Sequence, residues 1–365
     1  MDTFDKHSMN TPINIEEIKK IPIVFIVGKG RSGTTLLMSL LNNHPNIVAP
    51  PENKFMLLNY TRFSGIKKWS EKDVFSFMER LFADPTINKG WKLDKEKLTQ
   101  LLLSIREHLN YSTICKMVYL SYGHPDKQVF LIAHKVPLFT LFLKKIHWLF
   151  PEAKFIHIVR DPRDNCLSHK KAFQAKNTMN IVNNWVGYNK IIEADKLKYP
   201  DKYFTVLYEK LAANTEDLLK ELCGFLNVPY ANSMKFVKKE ETIKTYQDLP
   251  KNILENVHKN LLNPVNISSI GKWKDELTSQ DKDIVEAVAG DYARKYYGYG
   301  LDADSSTRKK ISFFEFYING KLKYFAWKVF TRFRYKYYGF NLFYSKWKKR
   351  IMKDKFPFAD MFWTE

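Results

Sequence analysis

Short apolar runs alternate with amphipathic stretches over most of this chain. Ile23–Val27 is an unbroken β-rich run that leads into Gly28-Lys29-Gly30-Arg31-Ser32-Gly33-Thr34-Thr35 and then into the helical pattern LLMSLLNNH. The same order recurs at Lys154–Val159, which leads into Arg160-Asp161-Pro162-Arg163-Asp164 and then NCLSHKKAF. A buried strand, a turn and a helix form the βα unit of a parallel sheet. Val129–Ala133 and Tyr203–Leu207 are two further expected strands. Helical spacing marks Leu138–Phe150 and Thr215–Leu226, with Asn214 placed to cap the latter. The expected fold class is α/β, a central parallel sheet flanked by helices.

The texture changes after Asp302. Residues 311–365 hold 20 of the 55 Phe, Tyr and Trp residues, with 12 Lys and Arg against 4 acids. We therefore expect three parts: a lead (1–20), an α/β domain (21–303) and an aromatic, basic C-terminal extension (304–365). The whole chain of 365 residues carries a formal charge of +20. A hydrophobic fraction of 45% and a charged fraction of 27% exclude a disordered or collagen-like chain. Cys115, Cys166 and Cys223 lack the spacing of a disulfide framework or a zinc finger. The first 20 residues contain four acids and no apolar core of a signal peptide, so a cytoplasmic protein is the expectation. The excess charge fits either a solvated basic surface or an anionic partner: nucleic acid, lipid or a phosphorylated ligand.

A glycine-rich turn between a strand and a helix is built to hold a phosphate. Its backbone N–H groups curl inward, and the helix N-terminus adds positive potential. Gly28–Thr35 has the Gly-x-x-x-x-Gly frame of an NTPase P-loop but places Thr34 where those proteins carry Lys. Arg31 and Lys29 supply cations instead. A kinase-like nucleotide-binding protein is accordingly the second reading of this motif.

Gly28–Leu37 resembles the 5′-phosphosulfate loop of sulfotransferases that use 3′-phosphoadenosine 5′-phosphosulfate (PAPS). Arg31 brings it nearest to the tyrosylprotein and carbohydrate branches. Ile158–Asp164, with Ser168 eight residues past Arg160, resembles that family's 3′-phosphate site. Two anion sites at the carboxyl ends of parallel strands suit a ligand with phosphates at both ends of one nucleoside. Tyr208-Glu209-Lys210-Leu211 resembles the element whose Tyr contacts the adenine. Asn263–Asn266 with Gly271-Lys272-Trp273 resembles the loop that closes over the cofactor, with Gly271 standing where the tyrosylprotein branch has Ser.

The resemblance implies a P-loop NTPase-like sulfotransferase fold over residues 20 to 300, and PAPS as co-substrate without a metal. It assigns the donor to Gly30, Arg31, Ser32, Gly33, Thr34, Thr35, Arg160, Ser168, Tyr208, Gly271 and Lys272. Glu52 lies 21 residues after Arg31, the register of the tyrosylprotein branch's catalytic base. Lys135, in His134-Lys135-Val136-Pro137, matches the Lys that stabilises the leaving group, and Arg31 would share the charge of the moving sulfonate. His134 is the other candidate base, and His44 reads as a turn residue after the first helix.

The expected acceptor is a hydroxyl on a small molecule, lipid, sterol or glycan. The tail admits three readings: packing on its own domain, contact with an anionic membrane surface, or single-stranded nucleic acid, the least favoured.

Overall fold

Strands β1 (Ile23–Val27), β2 (Ile47–Val48), β3 (Leu131–Lys135), β4 (Lys154–Val159) and β5 (Tyr203–Leu207) form one sheet in the order β2-β3-β1-β4-β5. Every pairing is parallel. The computed structural model describes residues 15–122, 128–175, 177–235, 267–300 and 314–352. The expected α/β class is the observed one. Because β1 lies between β3 and β4, its carboxyl end is the point where the connections diverge to opposite sides, which is where open α/β sheets bind ligands.

All five residues of β1 are buried, so its apolar run carries no alternation. On one face Phe25 meets the rings of Phe139, Phe150 and Phe155. On the other, Val24 and Ile26 pack with Leu37, Leu40 and Leu41 of α1 (Thr34–Asn42). Helices α2 (Pro162–Phe173) and α3 (Thr178–Lys196) follow β4. After β5 come α4 (Tyr208–Ala213) and α5 (Thr215–Leu226), and α6 (Ser279–Tyr297) packs on α3.

Three expectations need correction. The third strand is not Val129–Ala133 but runs two residues later, to Lys135, because His134 and Lys135 are as buried as the apolar residues before them. Leu138–Phe150 is not one helix: Pro137–Phe142 is a 3₁₀ segment buried on every side, and the α-helix begins at Leu143. Asn214 does stand at the N-cap of α5, but its side chain makes no capping bond among the described residues. It sits between two abutting helices, and its own N–H closes α4 by donating to the Lys210 carbonyl at 2.8 Å. Strand β2, of two residues, is too short to leave a pattern in the sequence.

The aromatic tail forms helices α7 (Phe314–Lys336) and α8 (Tyr338–Met352). α7 lies against α3: Trp327 stacks on Tyr188 at 6.1 Å, and Tyr335 meets Phe142 at 5.7 Å. A Cβ at Gly187 would lie 2.2 Å from the Tyr324 ring, so the two helices approach through that gap.

Candidate active site

The loop after β1 is forced into unusual backbone. Gly28 has φ 146° and Gly33 φ 93°, and Arg31 holds a left-handed φ of 69° that costs a non-glycine residue energy. A Cβ on Gly28 would come within 2.4 Å of the Ile158 carbonyl oxygen. The loop is held from α2, one turn after β4. Asn165 donates to the Gly30 carbonyl and to Ser32 Oγ, both at 3.0 Å. His169 Nε2 donates to the same Gly30 carbonyl at 3.1 Å. Burial, reinforced by the nearby charges of Lys29 and Arg31, keeps the His169 pKa well below its ordinary value, so its ring is neutral.

Arg31 Nε donates to Ser168 Oγ at 3.2 Å, so residues expected at the two ends of one ligand touch each other. Arg160, at the end of β4, donates to the Arg31 carbonyl at 3.4 Å and to the Ser269 carbonyl at 2.5 Å. Its guanidinium lies over the Tyr208 ring at 4.5 Å, and its buried Nε has no hydrogen-bond partner among the described residues. A buried guanidinium N–H without a partner is costly unless a ligand meets it. Tyr208 also abuts the phosphate loop, since a Cβ on Gly33 would lie 2.4 Å from its ring.

A second layer fixes these groups. Asp161 and Arg163 pair through both oxygens, and Arg163 stacks on Trp273 at 3.8 Å, so the second arginine of the turn is neutralised within the turn. Asp164 accepts from the N–H groups of Gly271 (2.7 Å) and Trp273 (3.1 Å), tying the late loop to α2. Burial raises its pKa. Glu209 accepts from the Asp161 N–H at 3.0 Å and the Tyr299 hydroxyl at 2.8 Å, and burial raises its pKa too. Gly271 thus contributes a backbone N–H to Asp164, while Lys272 is exposed beside it. Asn263–Asn266 lie outside the described residues.

On β3, alternation sends neighbours to opposite faces. Lys135 points to the α1 side, where Nζ donates to Thr35 Oγ1 at 3.1 Å and ion-pairs with Glu52. The lysine is buried, whereas the Glu52 side chain is 41% exposed. Asn53, next to Glu52, anchors that loop by bonding Asp84 and the Phe55 N–H. His134 points the other way. Its Nδ1 is hydrogen-bonded to the Tyr119 hydroxyl at 3.0 Å, its ring packs among Tyr119, Phe139 and Trp91, and burial pushes its pKa down to about 3. It is a core residue on the wrong face of the sheet to meet a group at Lys135. His44 bonds the Pro229 carbonyl at 2.7 Å and accepts from the Asn46 N–H at 3.0 Å, which holds the turn after α1.

The structure therefore brings Arg31, Ser32, Thr35, Glu52, Lys135, Arg160, Ser168 and Tyr208 to one edge of the sheet. The residues that sequence reasoning missed are Asn165, His169, Asp164 and Ser269. A signal for two of them existed: Asn165, Ser168 and His169 stand at i, i+3 and i+4 on one helix face.

Residues 22–232 match the family model described as the sulfotransferase family. The chain belongs to that family. Among curated relatives, protein-tyrosine sulfotransferase 1 of Danio rerio is 26% identical over 286 residues, covering 76% of this chain and 73% of that protein. Its Homo sapiens counterpart is 27% identical, covering 70% and 64%. The Drosophila melanogaster protein-tyrosine sulfotransferase is 24% identical, covering 74% and 50%. The chain thus spans between half and three quarters of these proteins. The sulfotransferase domain of the Synechococcus PCC 7002 olefin synthase superposes with a TM-score of 0.53 at 21% identity, covering 77% of this chain and 96% of that one. The likeness to that domain extends to the fold.

Proposed function

We propose that this sulfotransferase moves a sulfonate group from PAPS to a hydroxyl acceptor by in-line transfer, with Glu52 as the base. The observation that carries the reading is the meeting of Glu52, Lys135 and Thr35, which joins a carboxylate, a buried ammonium and the phosphate loop in one contact. Gly30–Thr35 and Lys135 hold the sulfate end of the donor. Arg160 and Ser168 hold the 3′-phosphate, Tyr208 lies beside the adenine, and Gly271-Lys272 closes the late loop. The Nε of Arg160, unpartnered among the described residues, and the tight turn at Gly28 are the features that fit an anionic donor of this kind.

In the reaction Glu52 takes the proton of the acceptor hydroxyl as its oxygen attacks sulfur, and the bond from sulfur to the bridging phosphate oxygen breaks. Protonation of Glu52 removes its claim on Lys135. The ammonium is then released towards the charge that builds on the leaving phosphate, while Arg31 neutralises the moving sulfonate. The base and the electrophilic group are thus coupled through one ion pair. The leaving product is adenosine 3′,5′-bisphosphate.

The acceptor is an alcohol or phenol. Lipid, sterol-like and glycan hydroxyls are the first candidates, and the names of the curated relatives add the tyrosine phenol. Labelled PAPS offered with panels of sterols, glycans and tyrosine peptides identifies the class. On the acceptor so found, Glu52→Ala should lower turnover by about 10²- to 10⁴-fold, with calorimetric binding of adenosine 3′,5′-bisphosphate within about threefold of wild type. Turnover within twofold of wild type would remove Glu52 from the role of base.

A further inference from the structure

The tail helix α7 is apolar on two opposite faces; one packs on the α/β domain, and the other is met only near its end, where Phe333 touches Phe340 of α8 at 5.3 Å. Gly320, Tyr324, Trp327, Thr331 and Tyr335 recur at helical spacing and form the inner face. Trp327 and Tyr335 touch Tyr188 and Phe142, and Gly320 lies against Met179 and Asn183. Ile318, Leu322, Phe325, Val329 and Phe333 repeat the same spacing two residues earlier, on the opposite side. All five are exposed, with Leu322 at 63% and Phe325 at 65%. The stripe runs for about 22 Å at the helical rise per residue. α8 adds exposed Leu342, Phe343 and Trp347. A contiguous exposed apolar surface of this kind marks an interaction site.

The charges around the stripe select the partner. Lys321, Lys323 and Lys336 are exposed on the same helix, and Glu315 is its lone acid. Helix α8 contains Lys346, Lys348, Lys349 and Arg350 and no acid. Among the described residues no helix is long and apolar enough to cross a membrane. An apolar stripe with basic residues beside it, on a helix that does not span, is the pattern of a segment lying in a lipid interface. A second copy of this chain would bring the same cations face to face across the contact, whereas anionic headgroups complement them.

We infer that the outer face of α7, continued by α8, seats the protein on an anionic lipid bilayer, with Leu322 and Phe325 inserted and the flanking Lys and Arg at the headgroups. This face is separate from the Glu52–Lys135 site and stands whether or not the proposed chemistry does.

The test is co-sedimentation of the full chain with vesicles of phosphatidylcholine, alone or with about 30% phosphatidylserine. The wild type should sediment with the mixed vesicles at least about tenfold more tightly than with the neutral ones and be released by high salt. Leu322→Gln/Phe325→Gln should lose about tenfold or more in vesicle affinity, as should Lys321→Gln/Lys323→Gln/Lys336→Gln. Both variants should keep the wild-type circular dichroism spectrum and melting temperature, because the replaced side chains are solvent-exposed. Three outcomes would overturn the inference: no wild-type binding to the mixed vesicles, equal binding to neutral ones, or a wild-type dimer in light scattering that the Leu322→Gln/Phe325→Gln variant converts to monomer.

Discussion

The turns after β1 and β4 occupy equivalent places at the carboxyl edge of the sheet, yet they present anion-binding groups by different means. The first works through its backbone: two glycines and Arg31 hold positive φ, and the loop is pinned by Asn165 and His169 on its Gly30 carbonyl. The second works through a side chain. Arg160 is held by two carbonyls and the Tyr208 ring, while Asp161, Asp164 and Glu209 are spent on fastening the surrounding loops. A backbone cradle is sensitive to shape and tolerant of charge. A guanidinium anchor has the opposite sensitivity. Neither turn is independent, because Arg31 of the first bonds Ser168 behind the second.

Substitutions can separate the two modes. Arg160→Gln removes the charge of the second turn and should weaken adenosine 3′,5′-bisphosphate by about 10²- to 10³-fold, the loss of about 3–4 kcal/mol typical of a desolvated charge partner. Isothermal titration measures it, and a loss below about fivefold would mean that the phosphate is not held there. Gly28→Ala attacks the first turn through shape. With φ at 146° and the Ile158 carbonyl oxygen 2.4 Å from the new Cβ, it should cost about 2–3 kcal/mol of stability, read from chemical denaturation. An unchanged midpoint would show that the loop relaxes freely.

Acidification acts with opposite sign in the two turns. His169 has a folded pKa well below its unfolded value near 6.5. As pH falls through that value the unfolded chain takes up a proton that the folded chain refuses, and stability drops by up to about 1.4 kcal/mol per pH unit. Core His134, with a folded pKa of about 3, adds the same slope. Asp164 and Glu209 have raised folded pKa values, so they gain protons first in the folded state and offset part of the loss at lower pH. Melting temperatures between pH 7 and 5 should fall for the wild type and fall less steeply for His169→Gln, whose amide can still donate to the Gly30 carbonyl. Parallel curves would assign the acid sensitivity elsewhere.

Strands β1, β4 and β5 were legible to the residue, because Ile23–Val27, Lys154–Val159 and Tyr203–Leu207 are apolar runs bounded by turns. β3 was misplaced because a buried Lys ends an apolar pattern in the sequence while continuing the strand in space. The same residue explains what was legible of the site: Arg31, Arg160 and Lys135 stand at strand ends, and their positions follow from the βα pattern. The supports did not follow. Asp164 and Ser269 act through contacts between segments distant in the chain, and a single sequence carries no record of such pairing. The tail was legible in composition alone. That its aromatics divide between two faces of one helix appears only when α3 is seen to cover one of them.

His134 and Lys135 are adjacent in the chain and back to back in the sheet. Their separation depends on nothing but the count of residues from the start of β3. Inserting one residue within β3 ahead of His134 would put a neutral imidazole in place of the ammonium at the mouth of the loop, and deleting one would drive a cation into a pocket of aromatic rings. This stretch can therefore drift in composition far more readily than in length.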